Sequence, residues 1–328
     1  MKYQLAPERA PLLVGNRRVL PLRPVESLTM NQSFDAAVPD EDPFAGLEDD
    51  ATPTGAEVAA RLLADTRRGW VPLRKVLVQR PNTELTRSST LAKFVTGRRE
   101  TALDALLLLH ALGPILDGSP LPMAVWANAL QLTGPNAASK AFATLEDMRL
   151  VDRVRGEGTA TNVVPLLEDG SGLAWSRPGS TAGNAGPGYF ALPDDYWTAG
   201  WNRRLSLPGK AMLLIMLAET QDPNKTPSTF AMPVEKAKDW YGISERTAER
   251  GYRELGVNKI MRVKEQAVKD HRSPTGVRKV MHRALTGPFS TAARASAQAQ
   301  SRAAAQGQPR AEAVRPNAPG LSDEGRNT

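Results

Sequence analysis

Ile243-Ser244-Glu245-Arg246-Thr247-Ala248-Glu249-Arg250-Gly251-Tyr252-Arg253-Glu254-Leu255 is the stretch on which the fold turns. Ser244 stands where a helix N-cap is expected, its hydroxyl placed to take a free backbone N–H. Ala248, Tyr252 and Leu255 recur at i, i+4 and i+7 and predict a buried stripe. Arg246, Arg250 and Arg253 repeat the same period on the opposite face. Upstream, Pro233 to Tyr241 predicts a short helix, with Gly242 as the turn between the two. Two helices around a glycine turn, the second presenting guanidiniums outward, make a helix-turn-helix pattern. Arginine donates paired bonds to guanine or clamps phosphate, which is the chemistry a major-groove reader needs.

The flanks agree with this centre. Pro208 to Thr220 predicts a long apolar helix before the pair. Lys259 to Val263 and Arg278 to Leu285 predict two strands around a tip of His271-Arg272-Ser273-Pro274-Thr275-Gly276. Between Lys259 and Arg283 stand eight basic residues and two acidic ones. Residues 188–290 hold 17 basic and 11 acidic residues, and the whole chain carries a net charge of +7. Positive charge concentrated around the helix pair predicts a polyanionic partner bound mainly there. The expected contacts are Arg246, Arg250 and Arg253 on base edges and Ser244 and Thr247 on phosphates. Lys264, Arg278 and Lys279 lie along the hairpin, and His271 and Arg272 at its tip would track the flanking groove. Trp126, Trp240 and Tyr252 are expected to pack in cores rather than stack on bases.

The same order of elements is predicted earlier in the chain. Thr101 to Leu116 and Pro122 to Leu132 read as helices. A third starts at Gly134-Pro135, with Pro in its first turn, and runs to Met148. Val151 to Val154 and Asn162 to Leu167 read as strands around Gly156-Glu157-Gly158. An offset of 110 residues lays Ala138 on Ala248, Lys140 on Arg250, Phe142 on Tyr252 and Leu145 on Leu255. At the outward positions the first copy has Asn136, Lys140 and Ala143, one cation where the second has three. Its hairpin offers Arg153 and Arg155 against Asp152 and Glu157. Asn136, Lys140, Arg153 and Arg155 are therefore its candidate contacts, and it would read DNA weakly or serve dimerisation.

The expected fold class is mainly α (α+β), two winged helix-turn-helix domains between disordered tails. Residues 1–60 are Pro-rich and acidic and expected to be disordered. Residues 61–87 form a basic segment, with embedded apolar residues, that docks on a neighbour as a strand or short helix. The first domain spans 88–168, a Gly/Ser/Pro-rich flexible linker 169–188, the main DNA-binding domain 189–290, and a disordered tail 291–328.

Several function classes drop out. The sequence has no cysteine, which removes disulfides, thiolate nucleophiles and Cys zinc sites and fits a reducing compartment. His110, His271 and His282 are its three histidines and no two stand at metal-ligand spacing, so no metal or other cofactor is expected. Gly209-Lys210 is followed by Ala211 and preceded at the fifth position by Arg204, so the phosphate-loop pattern fails at both ends. No nucleophile elbow is present. An enzyme is not expected, a nuclease or relaxase least of all. No secretory signal pattern opens the chain and its apolar runs are too short to span a bilayer, so no membrane partner is expected and the expected location is the cytoplasm, associated with nucleoid or plasmid.

A resemblance to a family rests on Tyr189-Phe190-Ala191-Leu192-Pro193, Trp197, Leu205-Ser206-Leu207-Pro208-Gly209-Lys210-Ala211, Trp240-Tyr241-Gly242-Ile243-Ser244, Thr247-Ala248-Glu249-Arg250-Gly251, Ser273-Pro274-Thr275-Gly276 and Gly287-Pro288-Phe289. In these the chain resembles plasmid replication initiators with two winged helices, and helix-turn-helix proteins of actinobacterial plasmids and integrative elements. The resemblance covers residues 189–290, and 88–168 in architecture. It implies that the C-terminal module binds double-stranded DNA repeats or a palindrome at an origin, while the N-terminal one binds DNA in monomers or holds a homodimer together. A transcription regulator needs the same chemistry. A non-catalytic partition adaptor, with residues 61–87 holding a protein partner, is the alternative of another class.

Overall fold

The longest apolar runs of the sequence become two central helices. The computed structural model describes residues 51–80, 89–116, 120–155, 161–178 and 188–307. The chain forms α1 (Gly55–Thr66), β1 (Trp70–Arg74), α2 (Thr90–Thr96), α3 (Glu100–Leu116), α4 (Met123–Ala129), α5 (Pro135–Asp147) and a hairpin of β2 (Val151–Arg155) and β3 (Thr161–Pro165). It continues through β4 (Tyr189–Pro193), α6 (Asp195–Thr198), α7 (Trp201–Arg204), α8 (Leu207–Glu219), α9 (Ala237–Tyr241), α10 (Glu245–Val257), a hairpin of β5 (Met261–Lys269) and β6 (Val277–Leu285), and α11 (Thr291–Gly307). The architecture is helix-rich with small antiparallel sheets: β1 with β4, β2 with β3 and β5 with β6 among the described residues. α3 and α8 are apolar on every side and buried along most of their length, as such helices must be.

The 110-residue repeat is visible in local geometry. α5 and α10 have the same length and start 110 residues apart. Ala138, Ala141, Phe142 and Leu145 are buried in the first, and Ala248, Gly251, Tyr252 and Leu255 at the matching positions of the second. After each helix one residue turns left-handed, Arg149 (φ 57°) and Lys259 (φ 58°). The next N–H, of Leu150 or Ile260, returns to the carbonyl of Leu145 (2.9 Å) or Leu255 (3.1 Å). Such returns satisfy helix-end carbonyls that would otherwise be open.

The described residues from Thr52 onward belong to one compact unit, and one hydrophobic cluster runs through both repeats. β1 precedes the first repeat and β4 the second, yet they pair antiparallel from Trp70↔Pro193 to Arg74↔Tyr189. The Lys210 ammonium of α8, 2% exposed, lies 2.8 Å from Glu100 and 2.6 Å from Asp104 of α3. The expectation of two bodies joined by a flexible 169–188 segment is thereby corrected. As far as Pro178 that segment folds back on the core: Arg74, paired with buried Glu168 at 2.9 Å, donates to the Ser176 carbonyl at 2.6 Å, and Trp175 packs on His110. A buried guanidinium needs acceptors for its remaining N–H groups, and this loop supplies them.

Other expectations change as well. α1 begins inside the region read as disordered, behind a capping box in which Thr54 and Glu57 satisfy each other's N–H groups. As far as Arg80 the basic segment 61–87 docks within its own chain: Val71, Leu73, Leu77 and Val78 are buried in the common core, and Gln79 donates to the Trp240 carbonyl, while residues 81–87 lie outside the described residues. The tail expected to be disordered from residue 291 carries α11. It lacks an apolar stripe but inserts Arg294, 1% exposed, against the end of α8. That guanidinium donates to the carbonyls of Leu217, Thr220 and Phe289. Burial lowers its pKa to about 10, so it stays charged at neutral pH and complements the negative end of α8. The acidic stretch within 1–50, the tip Gly156-Glu157-Gly158, residues 179–187 and the tail beyond 307 lie outside the described residues.

Two outcomes follow for stability. A Cβ on Gly251 would collide with Met212 Cγ and the Pro208 carbonyl, whereas one on Gly256 would meet Met261 Cε at 3.9 Å and nothing nearer. Gly251→Ala should lower unfolding stability by about 1–3 kcal/mol through overpacking. Gly256→Ala, on the same helix, should raise it by up to about 1 kcal/mol through helix propensity. Urea denaturation of both variants checks the pair. His110 is buried with neither ring nitrogen hydrogen-bonded among the described residues, and burial holds its pKa below the ordinary 6.5. Its contribution is therefore intact above 6.5 and is lost as the pH falls below that value. Denaturation between about pH 7.5 and 5 should show a steeper loss in the parent protein than in His110→Leu.

Candidate nucleic-acid interface

α10 is placed by its first residue and by its inner face. Ser244 caps it: the hydroxyl accepts the Thr247 N–H at 3.2 Å and sits 2.9 Å from the Thr247 hydroxyl. Gly242, at φ 69°, closes α9 with its N–H on the Lys238 carbonyl and turns the chain into α10. The left-handed region favours glycine at this position. Inside, Gly251 permits close approach to α8. Glu254 turns the same way, accepting both the N–H and the hydroxyl of Ser206 at 2.6 Å. A carboxylate at the start of α8 also matches the positive end of that helix.

The opposite face is open. Arg246, Arg250 and Arg253 are exposed, and none makes a side-chain hydrogen bond or ion pair with another described residue. Together with Glu245 and Glu249 they line an open concavity of about 620 Å³. The i,i+4 pairing of Glu249 with Arg253 that the spacing permits is not formed. Because Glu254 is engaged inside, the face carries three guanidiniums against two carboxylates. They span two helical turns, about 10 Å along the axis.

The β5–β6 hairpin follows α10 and packs on it through β5. Its nine paired residues per strand reach about 30 Å. A lone two-stranded ribbon of this kind is marginal in water, and here its base is fixed three ways. Met261 and Leu285 are buried as a cross-strand pair. Phe230 bridges Arg283 on the outer edge of β6. The Arg283 guanidinium lies 3.9 Å over the Tyr252 ring and donates to the Met232 carbonyl. Arg283, counted in the sequence among the cations of this region, is thus a packing residue, and Tyr252 and Trp126 are core residues as expected.

Of the hairpin candidates, Lys264, His271 and Arg272 are exposed and make no ion pair with a described residue. Arg278 stands 3.9 Å from Asp270 and Lys279 2.9 Å from Glu265. Exposed pairs of this kind contribute between nothing and about 1 kcal/mol, so a phosphate can compete for either cation. The tip is ordered by its own bonds. Asp270 accepts the Arg272 N–H at 3.0 Å, and the hydroxyls of Ser273 and Thr275 both donate to the Val277 carbonyl.

The first repeat is less open. Asn136 and Lys140 are exposed on α5. Arg153 is held by Glu146 through Nε (2.7 Å) and Nη2 (2.6 Å), which neutralises it locally. Arg155 is the last residue of β2. Asn136, Lys140 and Arg153 do not line the concavity over α10. The inward role of Glu254 was missed in the sequence, although its spacing of three from Gly251 and its place beside Leu255 put it at the edge of the buried face.

Comparison with protein-family models, with curated proteins and with solved structures finds no match. Among the described residues no helix is long and apolar enough to cross a membrane.

Proposed function

We propose that this chain binds double-stranded DNA with sequence preference, α10 entering the major groove and the β5–β6 hairpin lying along the flanking backbone or minor groove. The carrying observation is the outward face of α10, with three exposed arginines unpartnered among the described residues beside a long basic hairpin. The order α8–α9–α10–β5–β6, with Phe230 bridging β6 between the first and second helices of the set, supports reading this part as a winged helix. The first copy, α3–α4–α5–β2–β3, has the same order. Its weaker cationic face fits an accessory or dimerising role, and the exposed Val154 and Val164 of its hairpin favour protein contact there.

The resemblance to plasmid replication initiators carries the reading one step further, to initiating or controlling replication of a plasmid or mobile element. A transcription regulator would use the same surface. Loss of the replicon on deleting the gene marks an initiator, and altered expression at unchanged copy number marks a regulator.

Selection from a random duplex pool at about 0.15 M salt tests the proposal. An enriched motif is expected, and a pool no different from its input overturns the reading. On the enriched site, Arg250→Ala should cost about 1–3 kcal/mol and relax preference at one position, as loss of a base contact does. An even loss over all sequences would place Arg250 on phosphate instead.

A further inference from the structure

The turn between α2 and α3 is a basic projection of the first repeat. The Gly97 N–H bonds the Lys93 carbonyl at 3.1 Å, Arg98 takes a left-handed φ of 51°, and the Arg99 N–H returns to Phe94 at 2.9 Å. A residue with a side chain takes the left-handed conformation only where its surroundings hold it, so helix packing on both sides must hold Arg98 there. Its side chain is exposed and makes no ion pair or hydrogen bond with a described residue. Arg99 differs, since its Nε and Cδ lie close over Gly97.

Two residues beyond Arg98, Glu100 meets Lys210, and Asp104 one turn later meets the same ammonium. The turn is thereby anchored to α8, and α8 is anchored to α10 at Gly251 and Glu254. This chain of contacts sets Arg98 beside the start of α10. Val95, Arg98, Glu100, Pro208, Thr247 and Arg250 line one open cavity of about 580 Å³. Glu100 is already bound to Lys210. Two guanidiniums from different repeats and a hydroxyl remain to face the space.

We propose that Arg98 contacts a backbone phosphate of the same duplex that α10 enters, so that the first repeat joins the interface through its α2–α3 turn. This rests on the reading of α10 as a DNA-binding helix. A helix in the major groove brings the protein surface flanking its start against the sugar–phosphate strand at the groove's edge. An open cavity with cations on two sides suits a strand passing through it.

The test uses the full chain and a fluorescein-labelled duplex of mixed sequence, with anisotropy titrations at several salt concentrations. Arg98→Asn removes the charge but tolerates the left-handed backbone, and Arg98→Lys keeps the charge. One phosphate contact contributes about 0.9 to the slope of log K against log salt, which is about eightfold in affinity near 0.1 M. Arg98→Asn should show both losses with an unchanged melting temperature, and Arg98→Lys should recover the slope. Unchanged affinity and slope in Arg98→Asn overturn the assignment and leave the α10 reading standing. A loss of affinity without a change of slope marks a structural effect and overturns it too. No duplex binding by the unaltered protein overturns both readings.

Discussion

The buried ammonium of Lys210, held between Glu100 and Asp104, is the constraint on which the arrangement depends. Taking such an ion out of water costs several kcal/mol, and the carboxylates that offset it come from the other repeat. The cost is visible in Asp104, whose pKa burial raises to about 6 even though Lys210 draws it down and the Tyr196 hydroxyl donates to it at 3.2 Å. A folded pKa raised above 3.8 means that the linked stability is full below 3.8 and is lost as the pH rises through about 6. At neutral pH the ionised Asp104 of this cluster therefore adds no stability of its own. What the cluster supplies is position: an apolar contact could slide, whereas an ammonium with two fixed acceptors cannot.

From that point geometry passes outward in two short steps. α8 fixes α10 because Gly251 leaves no Cβ between the helices and because Glu254 takes both polar hydrogens of Ser206. α10 in turn fixes the hairpin, through Arg283 over Tyr252 and through Met261. The inward engagement of Glu254 takes a carboxylate off the outer face. The arginines left outside are those whose helical angle points away from α8.

Much of this was legible in the sequence because apolar period carries it. α10, its cap, the glycine turn, the order of both hairpins and the 110-residue offset follow from local spacing, whereas the strand expected over Lys259–Val263 runs from Met261 to Lys269. Contacts between distant segments left no local trace. β1 reads as a basic stretch and pairs with β4 more than a hundred residues later. α11 has no stripe to read, since polar groups dock it: the Arg294 guanidinium and the Thr291 hydroxyl both donate to the end of α8. The α2–α3 turn has no apolar period to mark it, and contacts through Lys210 place it beside α10. One signal was present and unread, the Thr54-to-Glu57 capping box that starts α1.

Arginine-selective chemical modification of the full chain, read by mass spectrometry with and without duplex DNA, tests the central claim most directly. Arg246, Arg250 and Arg253 should be protected when DNA is bound, while Arg153, already held by Glu146, should react at the same rate in both states. Equal reactivity of those three arginines with DNA bound, or protection confined to the first repeat, would contradict the account.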